Sequence, residues 1–168
     1  MDTDSLFQIF DRLAIARLKE FHFSSAGNAD AAALAKEHAD DLSMAGEVLL
    51  WEYATGKKVP RLHHHIRFHD HGKAEGRFGP HSAEMPKPKT VMECAGMLAQ
   101  VHASYWNKQS RIQTLKKLID GATVETERAH FENEFCKLQR AIDLDNQIRS
   151  VLVQAGDALL AAELARGR

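Results

Sequence analysis

The chain has 168 residues, 44% of them hydrophobic and 27% charged, with a formal net charge of −1; this suits one globular domain with a real core. So small a net charge creates no overall field toward nucleic acid or anionic lipid, and neither is expected as a partner. No apolar run approaches the roughly 18 residues of a membrane span, and MDTDSLFQIFDRL lacks a basic region or a small-residue cleavage site, so a cytoplasmic location is expected.

The first predicted helix covers residues 5–23. Ser5 suits its N-cap, because a hydroxyl accepts from a free first-turn N–H. At 100° per residue, Leu13, Phe10, Phe21, Ala14, Phe7 and Leu18 share one broad face. SSAGNAD (24–30) interrupts it, and a second helix runs from about Ala31 to Ala54, with Gly56 as its stop.

Residues 56–89 differ in composition and form a long irregular connection rich in His, Pro and Gly. All four prolines lie here, and six of the ten histidines lie in residues 59–81. Stretches this long without regular structure are usually functional or disordered. A third helix starts at the Thr90 cap and stops at Gly121. A fourth, capped by Thr123, extends to about Ala165. At 1.5 Å per residue it would be ~64 Å long, so it must curve, break or find cover elsewhere.

The helices repeat in pairs. DRLAIARLKEFHF matches GMLAQVHASYWNK, so that Leu13 meets Leu98, Phe21 meets Trp106, and the caps Ser5 and Thr90 coincide. AGEVLLWEYA matches AGDALLAAELA, with Gly46 on Gly156 and Glu47 on Asp157. Mid-helix glycine costs roughly 1 kcal/mol against alanine; its presence in both copies points to close helix–helix approach. The expected fold is therefore all-α: two repeated antiparallel helix pairs, residues 5–55 and 90–166, joined by the connection within a single helical domain.

The blocks IFDRLAIARLKEFHF, YWNKQSRI and LQRAIDLDNQIRSVL resemble an uncharacterised bacterial all-helical family, a domain of unknown function. In that family the half resembling helices 3 and 4 comes first, so the resemblance implies swapped halves, as in a circular permutation. GKKVPRLHHHIRFHD is similar to the basic-aromatic tail following the family's other half. The chain departs from the family at Asn107, Gln109 and His71, where histidine, an acid and proline are expected. The family supplies no activity.

Several polar residues fall within predicted apolar faces: Arg17, Asp11 and His22 on helix 1, His102 and Gln109 on helix 3, Asp145 and Arg149 on helix 4. A buried charge needs a partner, and Asp145 and Arg149, one turn apart, are expected to pair. Either these groups form a network that fixes helix register, or they line a pocket between helices. On the second reading, Arg17, His22, His102 and Arg149, with Arg67 of the connection, would bind a small anion such as a phosphorylated metabolite.

If residues 63–71 are extended, His63, His65, Arg67, His69 and His71 share one side. Zinc suits His-x-His spacing in part, whereas Arg67 repels a cation. An anion suits Arg67, and the histidines gain charge below about pH 6.5. A solvated connection without chemistry is the third alternative. Glu127, His130 and Glu134 lie on one helix face, but carboxylate di-metal bundles need two such motifs and two more glutamates. No cofactor is expected, with a divalent metal on the His63, His65, His69, His71 set as the alternative for a metal-dependent enzyme.

Phosphate-loop, nucleophile-elbow and paired-cysteine zinc motifs are all missing. Cys94 and Cys136 read as two free thiols. Phe131, Phe135, Leu138 and Ile142 form a stripe on the long fourth helix that would need cover. The functional expectation is a homo-oligomeric scaffold, a homodimer through helices 3 and 4, with a candidate small-anion site.

Overall fold

A computed structural model describes residues 5–60 and 85–166. These form four helices: α1 (Leu6–Ser25), α2 (Ala29–Ala54), α3 (Val91–Gly121) and α4 (Glu125–Arg166). No strand occurs among the described residues, so the protein is all-α, as the helical periodicity predicts. Most of the His/Pro/Gly-rich connection, including Arg67 and the four candidate zinc histidines, lies outside the described residues.

Local chemistry sets the helix ends. Ser5 Oγ accepts from Gln8 N at 3.2 Å while Gln8 Oε1 accepts from Ser5 N at 2.9 Å, a reciprocal capping box. Thr90 Oγ1 accepts from Glu93 N at 3.1 Å. Gly56 closes α2 with a φ of 72°, a conformation that a Cβ would strain. Two predicted starts move. α2 begins at Ala29, because Asn28 Oδ1 caps it by accepting from Ala31 N at 3.1 Å. α4 begins at Glu125 rather than beside Thr123, and Glu125 and Glu127 place negative charge in its first turn, where the helix dipole favours it.

Tight loops make two antiparallel hairpins, α1–α2 and α3–α4. The hairpins meet through α1, which packs against both α3 and α4. One cluster joins Leu6 and Ile9 of α1 to Leu49 and Tyr53 of α2, with Leu160 and Leu164 of α4 at its edge. A second joins Phe7 to Cys94, Leu98 and Leu152. Phe7 is 0% exposed, and burying such a ring is worth about 1.5–3 kcal/mol. Leu6 and Phe7 thus point to different partners, which explains why α1 is apolar around much of its circumference.

That central place corrects two expectations. Phe21 is 64% exposed rather than part of a buried face. The side chain of Arg17 is 45% exposed and pairs with Glu20 at 2.9 Å and Asp40 at 2.8 Å. The strip containing Phe10, Leu13, Arg17 and Phe21 is covered near the N-terminus of α1 and opens to solvent further along.

The structure has the two expected hairpins, and the matched glycines of α2 and α4 converge on one helix. Gly46 sits against Ile9 and Phe10, and Gly156 against Phe7, all on α1. Asp157 Oδ1, beside Gly156, accepts from Phe7 N at 3.2 Å. This carboxylate from α4 satisfies a first-turn amide of α1 and complements its dipole.

Candidate functional site

α1, α3 and α4 bring polar groups into one seam. Asp11 Oδ1 lies 3.0 Å from His102 Nε2 and 3.3 Å from Arg149 Nε. His102 is almost wholly buried, and the side chains of Asp11 and Arg149 are 15% and 29% exposed. Asp11 Oδ1 and His102 Nε2 are close in distance but not aligned as a hydrogen bond. Their contact is an electrostatic one, with the charge of His102 depending on its protonation. Further along, His22 stacks on Trp106, ring centroids 4.4 Å apart.

The expected Asp145–Arg149 pair does not form. Asp145 Oδ2 instead accepts from Lys108 Nζ at 2.6 Å, and Arg149 turns to Asp11. Adjacent turns of one helix hold Asp145 and Arg149 on the same side, but different neighbours cover them. Lys108 escaped the sequence reading because it sits at the edge of the α3 face. A long aliphatic stem lets such a residue carry its amine inward. Gln109, predicted inside the face, is half-buried and donates from Nε2 to Tyr105 Oη at 3.1 Å.

Of the candidate anion ligands, His102 and Arg149 therefore meet at Asp11, His22 lies further along α1 against Trp106, Arg17 stands outside the seam, and Arg67 is outside the described residues. The negative partner of His102 and Arg149 is already supplied by Asp11. An anion entering between them would have to displace that carboxylate. Nor does the dyad read as a general base. Such a base must reach a substrate proton, whereas His102 is 2% exposed. Two open grooves of about 480 Å³ each, one beside Ile15, Lys19, Leu34 and His38 and one beside Leu118, Gly121 and His130, are lined by neither His102 nor Arg149.

Other groups are accounted for. Both cysteines are free. Burial, then the charges of Asp157 and Glu93, push the Cys94 thiol up to about 11, and its Sγ donates to Leu152 O at 3.0 Å. A thiol so held is not an activated nucleophile. Among the described residues no three His, Cys, Asp or Glu side chains gather as a metal site. Glu134 of the Glu127–His130–Glu134 face is held by Lys137 at 2.9 Å, which lowers its pKa.

The seam's coupling is measurable. Arg149→Met should destabilise the protein by about 1–3 kcal/mol, less than the 3–5 typical of a fully buried pair, because water reaches both partners. In urea unfolding, Asp11→Asn combined with Arg149→Met should cost less than the two single losses added. Strict additivity would show that the two groups do not interact.

No helix among the described residues is long and apolar enough to cross a membrane. No known protein family, curated protein or solved structure matches this chain.

Proposed function

We propose that this chain is a homo-oligomeric scaffold, working by binding copies of itself. One observation carries the reading: α2 has two apolar faces. Ala32, Ala39, Gly46, Leu49 and Tyr53 are buried. About 180° round the helix, at 100° per residue, Met44, Val48 and Trp51 are 67%, 53% and 53% exposed. A helix apolar on opposite sides belongs inside a larger core, and an exposed apolar patch marks an interaction surface.

The self-contact differs from the one the sequence suggested. Phe131, Phe135 and Leu138 are half-buried and Ile142 is 2% exposed, on a helix whose main partner is α3. That stripe is therefore less exposed than Met44, Val48 and Trp51 of α2. A small anion is disfavoured at His102 and Arg149, because Asp11 already faces both. Sedimentation velocity across the micromolar range should show a reversible dimer or higher oligomer. A single monomeric species throughout would overturn the proposal.

A further inference from the structure

Resting on that self-association, we propose that two copies dock through α2 alone, the helices antiparallel across a two-fold axis near Val48. Met44, Val48 and Trp51 are spaced by four and three residues, the rhythm of a helix–helix seam. Val48 is its middle. The opposite face of α2 is taken by α1, so among the described residues this seam is the side of α2 that no other helix covers.

Charge selects a second copy and its direction. Glu37, Asp40 and Asp41 precede the seam, and Lys57 and Lys58 follow it. Antiparallel packing sets the acidic end of each helix beside the basic end of the other; parallel packing sets like beside like. It also opposes the helix dipoles. Asp40 already meets Arg17 at 2.8 Å, Lys58 meets Glu52 at 2.5 Å, and Lys57 Nζ lies 3.9 Å from the Trp51 ring centroid. These exposed contacts are individually weak and can be shared with a partner. Trp51, still half exposed under Lys57, supplies the largest apolar surface of the seam.

Glu47 flanks the seam close to the proposed axis, so it meets its own copy. Like charges brought face to face repel, and Glu47→Gln should tighten the dimer about twofold. One helix face per copy is a small interface, which makes the dimer reversible.

Cysteine cross-linking in a Cys136→Ser background tests the geometry, since Cys136 is exposed and Cys94 buried. Val48→Cys should form a disulfide with its own copy. Asp41 and Thr55 are equally far from Val48, so Asp41→Cys and Thr55→Cys should cross-link when mixed. Thr55→Cys alone should not, because its two copies would lie ~20 Å apart at 1.5 Å per residue, and a disulfide needs Cα atoms within about 7 Å. All three positions lie outside the buried core, so the variants should fold. Self-cross-linking by Thr55→Cys would show parallel helices and overturn the inference. A dimer by sedimentation with no cross-link at any position would place the interface elsewhere, overturning the inference while leaving self-association intact. A monomeric wild type would remove both.

Discussion

Gly156→Ala is expected to destabilise the protein by about 2 kcal/mol, while Gly46→Ala at the repeat-equivalent position should stabilise it by up to about 1 kcal/mol. The opposite signs follow from the neighbours. A Cβ at Gly156 would fall inside the van der Waals envelope of the Phe7 ring. That ring is 0% exposed and wedged against Cys94, Leu98 and Leu152, so it cannot swing aside. Overpacking of this kind costs about 1–3 kcal/mol, and here the upper end applies. The gain of alanine over glycine in a helix, roughly 1 kcal/mol, offsets part of it. At Gly46 the nearest atom to an added Cβ is Ile9 Cγ2 at 3.5 Å, then Phe10 Cε1 at 3.9 Å. Those are ordinary contacts, so the helix-propensity gain remains. In thermal unfolding a loss of 2 kcal/mol in a chain this long lowers Tm by about 4–8 °C. Equal and favourable shifts for both variants would mean that Phe7 does not lie against Gly156.

The same two glycines show what was legible in the sequence. Their matched places in AGEVLLWEYA and AGDALLAAELA point correctly to buried positions in α2 and α4. The match cannot say that both would face α1, or that only one approach is too close for a Cβ. Helix ends were readable at Ser5, Gly56 and Thr90 because caps act within one turn. His102 and Asp145 were readable as interior groups because 3.6-residue periodicity fixes a face from local sequence alone. Partner choice was not readable. Arg149 sits one turn from Asp145 but answers Asp11, far away in the chain; Arg17 shares an angle with Leu13 and Phe10 but lies where the cover over α1 ends. Which neighbour covers a face depends on how the hairpins dock, and no local pattern encodes that. The outer face of α2 went unread for a related reason: Met44, Val48 and Trp51 look like core residues until α1 is seen to occupy the opposite side.

Phe7→Ala should be among the most damaging single substitutions, costing about 3–5 kcal/mol, the range for deleting a buried phenylalanine ring. The backbone anchor of α1 survives it, because Asp157 Oδ1 accepts from the main-chain N–H of residue 7, so the loss belongs to packing. The cavity would open where α1, α3 and α4 meet, between Cys94, Leu98 and Leu152. It would also remove the atoms that reject a Cβ at Gly156. Phe7→Ala with Gly156→Ala should therefore cost less than the sum of the two single losses. The coupling should fall within the 0.5–3 kcal/mol seen for residues in contact, and the added methyl should refill a little of the space. A urea-denaturation cycle over the four proteins measures it. If Gly156→Ala remains as damaging in the Phe7→Ala background as in the wild type, the clash arises from another neighbour, and Phe7 is not the reason that α4 carries glycine at this crossing.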